Sequence, residues 1–126
     1  MAVAGVPTPR DDHAESLVNV AIAMQRAVFE FSPRVGRRMA LRIGIASGPV
    51  VAGVIGQRKF HYDLWGDTVN TASRMESTGE PGCIQITPET WTHVKDPHNW
   101  TRRDDVEVKG KGRMTTYLLN VAALAG

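Results

Sequence analysis

The sequence predicts one mixed α+β domain, and three observations carry that prediction: a length of 126 residues, two segments of helical apolar spacing, and short alternating apolar runs between and after them. A chain of this length supports a single core and buries roughly two thirds of the surface its unfolded form exposes. Asp12 followed three residues later by Glu15 is a capping-box-like start, and Leu17, Val20, Ala21, Met24 and Val28 then recur at helical spacing. These residues predict one amphipathic helix over 13–30. After a basic loop at 32–38, Leu41, Ile43 and Ile45 alternate with Arg42 and Gly44 as a strand, and Ser47-Gly48-Pro49 turns the chain. Val50 to Ile55 and Phe60 to Trp65 then form a hairpin around the polar tip 56–59. Gly66-Asp67 opens a second helix, with Asp67 as N-cap and Val69, Ala72 and Met75 turned towards the core, which stops near Thr78-Gly79. Ile84 and Ile86 flank Gln85 in a short strand, and Pro88 starts a short helix running to Val94. Val106, Val108, Tyr117 and Leu119 mark two closing strands around a turn at 109–112.

Composition removes several classes of function. Lys and Arg total 15 against 13 Asp and Glu, a net charge of +2, and 22% charged with 42% hydrophobic residues is ordinary globular usage, so disorder and collagen-like repeats are excluded. Cys83 is the only cysteine, which forbids an intrachain disulfide and a cysteine-based zinc site and points to a reducing, cytoplasmic compartment. No apolar run approaches the roughly 20 residues that span a bilayer, and 1–10 lacks the features of a signal peptide. The basic residues are scattered apart from Lys109, Lys111 and Arg113, a cluster that reads as a local anion site and not as a nucleic-acid face. The four histidines show no ligand spacing with one another or with Cys83. Gly48 to Gly56 is glycine-rich but lacks the Gly-Lys-Ser/Thr of a phosphate-binding loop, and the three tryptophans read as core or rim residues.

The informative stretch is Phe60-His61-Tyr62-Asp63-Leu64-Trp65-Gly66-Asp67-Thr68-Val69-Asn70-Thr71-Ala72-Ser73-Arg74-Met75-Glu76. Asn70 and Arg74 stand four apart on the second helix, so an amide and a guanidinium share one face. Asp63 ends the strand leading into that helix, where a carboxylate can accept bonds from the amine edge of a ligand. An aspartate before a helix is usually a cap and a polar pair at i and i+4 is usually a solvated face, so spacing alone does not decide for a site.

The run Asp63 to Asn70 continuing through Ala72-Ser73-Arg74-Met75-Glu76-Ser77-Thr78-Gly79, with Val108-Lys109-Gly110-Lys111-Gly112 downstream, resembles the catalytic domain of the class III nucleotidyl cyclases. Leu41 to Gly48 and Val50-Val51-Ala52-Gly53 resemble the strand pair that precedes that motif, and the resemblance extends from Met1 to about Asn120. It implies a ferredoxin-like α+β sandwich, an antiparallel-rich sheet covered on one face by helices, and conversion of ATP to cyclic AMP and pyrophosphate. It further implies that Asp63 reads the adenine amine, where guanylate cyclases commonly carry cysteine, that Asn70 orients the ribose, that Arg74 stabilises charge at the α-phosphate, and that Lys109 holds the terminal phosphates. The family's sites form across a homodimer or pseudo-dimer interface.

The same resemblance implies Mg²⁺ or Mn²⁺ held by two aspartates, one in a first strand and one in a Gly-Asp pair just ahead of a segment like Met1-Ala2-Val3-Ala4-Gly5; both precede this chain. Met1 to Pro7 has the look of a strand in mid-course, so the expectation is one domain over 1–126 lacking its first strand and first helices, with no metal ligand of its own and no activity alone. Asp11 and Asp12 fall where a helix cap belongs. Two other readings remain: a catalytically silent nucleotide-binding module, and a domain that only dimerises. Neither includes nucleic acid or membrane contact.

Overall fold

The computed structural model describes residues 13–31, 36, 39–48, 51–55, 61–65 and 67–123, and of His13, 51–55 and 61–65 it describes the backbone. Helix α1 (His13–Phe31) leads into strand β1 (Ile43–Ile45), then the pair β2 (Val51–Ile55) and β3 (His61–Trp65). Helix α2 (Asp67–Ser77), strand β4 (Cys83–Ile86), the short helix α3 (Pro88–Trp91) and strands β5 (Thr101–Val108) and β6 (Gly112–Asn120) follow. Four strands form one sheet in the order β1-β4-β6-β5, with β1 parallel to β4 and the other pairs antiparallel, and β2 and β3 pair separately as the expected antiparallel hairpin. Asp12, the tip 56–59 and Met1 to Pro7 lie outside the described residues.

Strand β4 is buried at every position. Because side chains alternate along a strand, this buries two opposite faces. Ile84 and Ile86, with Ile45 and Leu119, pack against Val18 and Ala21 of α1 and against Val94 and Trp100. On the other face Gly44 pairs with Gln85, and a Cβ built on Gly44 would lie 2.2 Å from the Glu76 amide nitrogen and 2.5 Å from the Ala72 carbonyl oxygen of α2. Helices therefore cover both faces of the sheet, where one covered face was expected. The reason is that the strand residues between the isoleucines are a glycine and a glutamine whose backbone space and amide are both used by α2.

Helix α1 is rotated from its expected setting. Ala14, Val18, Ala21 and Gln25 are buried, whereas Val20 and Met24 are 46% and 49% exposed. Apolar residues occur around most of this helix, so periodicity does not select a face. The selection is polar: the Gln25 amide donates to the Leu41 carbonyl at 2.8 Å and accepts from the Leu41 N–H at 2.8 Å. Glu15, in the first turn of α1, accepts the Lys95 amide at 3.0 Å. In α3 the helix is shorter than expected, ending at Trp91. Trp91 stacks on Tyr117 with ring centroids 4.3 Å apart and donates its indole N–H to Pro97; Trp100 is 8% exposed in the core, so both act as structural aromatics.

Between Arg103 and Val106 the β5–β6 register shifts: Arg103 faces Thr116 and Val106 faces Met114, so two residues of β5, Asp104 and Asp105, oppose the single Thr115 of β6. Asp105 adopts φ 56°, the left-handed conformation that such a bulge accommodates. The extra residue lets Arg103, Val106 and Val108 share the α2 face although their numbering would alternate them.

Gly44→Ala is expected to destabilise the chain by about 3 kcal/mol or more, at or above the upper end of overpacking costs, because the new methyl meets helix backbone that cannot rotate away. Urea unfolding of the two proteins, compared at equal slope, measures this.

Candidate nucleotide-facing site

Helix α2 seats Thr71 and Met75 in the interior, Met75 at 0% exposure, while Val69 and Ala72 are half-buried. At 100° per residue, Asp67, Asn70 and Arg74 then fall on one stripe along the flank of the helix. Asn70 is exposed and Arg74 half-buried. The structure thus brings together Asn70 and Arg74 as the spacing implied.

Asp67, the expected N-cap, has a tertiary partner in the structure. Asp67 is the first residue of α2, its carbonyl accepts the Thr71 hydroxyl at 2.8 Å, and its carboxylate forms an ion pair with Lys111 in the β5–β6 turn. Gly110 and Gly112 on either side of Lys111 have φ 82° and 72°, which glycine adopts without steric penalty. This turn is what carries Lys109 and Lys111 to the start of α2. Lys111 was legible only as part of a basic cluster; the clue to its role was the carboxylate at Asp67, three residues before Asn70 on the same stripe.

Committing Lys111 to Asp67 changes the charge balance. Among the described residues, no hydrogen bond or ion pair engages the side chains of Arg74 or Lys109, and Lys109 is exposed. The site therefore offers an amide and two uncommitted cations on and beside one helix flank, an arrangement suited to a phosphate-bearing ligand. Asp63 sits in β3 opposite Gly53, two residues before the end of the strand at Trp65 and four before α2 begins at Asp67; its side chain lies outside the described residues.

Behind this flank, β4 holds α2 through Gln85, which is 0% exposed. The Gln85 amide donates to the Met75 carbonyl and the Thr78 hydroxyl, each at 2.8 Å, and accepts from Arg103 at 2.7 Å and from the Thr116 hydroxyl at 2.9 Å. All four hydrogen-bonding positions of the amide are filled. Arg103 also donates to the Thr78 carbonyl at 3.3 Å.

Among the described residues no three His, Cys, Asp or Glu side chains form a group able to hold a metal ion, and Asp11 and Asp12 lie outside them. No helix of the described residues is long and apolar enough to cross a membrane.

The chain is a mixed α+β domain with an Asn–Arg helix flank and a basic hairpin turn, and comparison with known proteins states its family. The family model for the adenylate and guanylate cyclase catalytic domain matches residues 1–121, and the chain belongs to that family. It is 47% identical over 119 residues to an adenylate cyclase of Mycobacterium tuberculosis, covering 94% of this chain and 27% of that protein. It is 46% identical over 121 residues to guanylate cyclase soluble subunit beta-2 of Rattus norvegicus, covering 94% of this chain and 18% of that one. The catalytic core of a rhodopsin-guanylyl cyclase with converted specificity, solved in complex with ATPαS, superposes with a TM-score of 0.81 at 45% identity, over 92% of this chain and 63% of that chain. The chain thus spans about a quarter of the mycobacterial relative's length and less than a fifth of the rat one's.

Cys83 is buried and free, and burial pushes its thiol above the usual range, with Glu80 adding to the effect and Arg103 opposing it. A raised thiol pKa keeps the unreactive neutral form at pH 8. Iodoacetamide at that pH is expected to label the native chain at least about tenfold more slowly than the urea-unfolded chain.

Proposed function

We propose that this chain is part of an adenylate cyclase catalytic domain, acting in the cytoplasm, and that it contributes Asn70, Arg74, Lys109 and Asp63 to a site completed by a second cyclase domain in a homodimer or pseudo-dimer. The observation that carries the reading is the pair of cations, Arg74 and Lys109, that have no side-chain partner among the described residues, whereas Lys111 pairs with Asp67. Attack of the ribose 3′-hydroxyl on the α-phosphorus, with the hydroxyl proton passing to solvent, forms the cyclic phosphodiester and breaks the bond to the oxygen bridging the α- and β-phosphates, so pyrophosphate leaves with the electron pair. Negative charge grows on the α-phosphate oxygens and the leaving group, and fixed cationic donors there lower the barrier. Arg74 is assigned to the α-phosphate, Lys109 to the terminal phosphates, Asn70 to the orientation of the ribose and Asp63 to the adenine amine. The divalent cation used by the family supplies charge neutralisation when bound and belongs to the complementary half of the site.

Complementation tests this reading. The 126-residue chain is mixed with a complete class III cyclase domain whose arginine matching Arg74 is replaced by alanine, and heterodimers are quantified by sedimentation. Cyclic AMP synthesis is expected from the mixture and from neither component alone, and Arg74→Ala in this chain is expected to abolish the rescue, a loss of about 10² to 10³ in rate for one well-placed charge donor. Inactive heterodimers would remove Arg74 from the transition state.

Base choice is tested in the same mixture. Asp63→Ala is expected to lower the ratio of kcat/KM for ATP over GTP by about tenfold or more, since a site built to pair a ligand amine loses its advantage without the acceptor. An unchanged ratio would assign base reading to another residue.

A further inference from the structure

The β5–β6 hairpin touches α2 at both ends. At the head of the helix Lys111 pairs with Asp67. Just beyond its last turn a single guanidinium nitrogen of Arg103 donates to the Thr78 carbonyl at 3.3 Å and to the Gln85 amide oxygen at 2.7 Å, and the Gln85 amide nitrogen donates onward to Met75 and Thr78. Carbonyls at a helix C-terminus have no intrahelical donor and carry the negative end of the helix dipole, so a cation there is doubly favoured. Arg74 lies within this same final turn, and its own carbonyl accepts the amide of Thr78 at 3.0 Å and its hydroxyl at 2.7 Å. Any displacement of Thr78 moves the backbone that carries Arg74.

We infer that Arg103 is a positioning residue for Arg74: the bulged β5 strand aims its guanidinium through Gln85 and Thr78 at the last turn of α2, so that the hairpin bearing Lys109 also fixes where Arg74 stands. The bulge is what makes this possible, because the additional residue at 104–105 sets Arg103 on the same sheet face as Val106 and Val108, against α2. The two cations assigned to opposite ends of a triphosphate then ride on one rigid unit joined at both ends of the helix. The surface pair Lys111–Asp67 alone would not hold this spacing, since exposed ion pairs contribute little and are screened by salt; the partly buried Arg103 contacts are anchored in a fully buried amide.

This inference rests on the proposed role of Arg74, and its test separates the two. In the complementation mixture, with rates expressed per heterodimer and taken well below the melting temperature, Arg103→Met keeps the aliphatic stem and removes the donors. The expected result is a fall in kcat of about tenfold or more with KM for ATP changed less than about twofold, because misplacement of a transition-state group by a fraction of an ångström acts on the chemical step. Arg103→Lys, retaining one charged donor, is expected to recover part of the loss. An unchanged kcat per heterodimer accompanied by a lower melting temperature would make Arg103 purely structural and overturn the inference.

Should Arg103→Met not fold, Gln85→Glu serves instead. Its carboxylate still accepts from Arg103 and Thr116 but donates nothing to Met75 or Thr78, and the same kcat loss is expected. Amide hydrogen exchange on the chain alone is independent of turnover. Faster exchange at Thr78 and Gly79 in either variant, with α1 unchanged, is expected, and unaltered exchange there would overturn the inference even if the unsubstituted mixture were inactive.

Discussion

The structure depends on one buried amide. Gln85 stands at the centre of the sheet and spends each of its hydrogen-bonding positions on a different element: α2 through Met75, the helix-terminal Thr78, β5 through Arg103 and β6 through Thr116. A buried polar group is worth keeping only when fully satisfied, and deleting one partner leaves others costing roughly 1–3 kcal/mol each. The amide therefore specifies an arrangement more than it adds stability. Gly44 beside it supplies the complementary condition, absence of a side chain, so that α2 lies close enough for its carbonyls to be reached.

The two faces of the sheet consequently have different characters. The α1 face is apolar and joined by Ile45, Ile84, Ile86, Leu119 and Trp100, a non-directional contact that would tolerate rotation of the helix were it not for the two bonds between Gln25 and Leu41. The α2 face is joined by directional polar bonds. Directional bonds are concentrated on the side that carries Asn70 and Arg74, which suits the proposed role of these residues as fixed donors.

Family membership leaves the base open while fixing the framework. Relatives at 47% and 46% identity carry the names of an adenylate and a guanylate cyclase, so similarity at this level does not choose between the two bases. The proposed base-reading role of Asp63 needs only one acceptor, because a single acceptor or donor is enough to favour one amine or carbonyl edge.

Local repeats in the sequence determined the α+β class, the two helices to within about a residue or two, the hairpin, and the common face of Asn70 and Arg74, because periods of 3.6 and 2 are properties of neighbouring residues. The cyclase motif was equally legible, being contiguous from Asp63 to Gly79. Tertiary structure alone decided which face of α1 is buried, since a helix apolar around most of its circumference has no preferred side until Gln25 meets Leu41 sixteen residues away. It also decided that Asp67 pairs with Lys111 across 44 residues and that Arg103 reaches Thr78 across 25. Such partners are set by which strands become neighbours and by a one-residue bulge in β5. The free energy of a polar contact between distant segments depends on that placement, and no local pattern of residues encodes it.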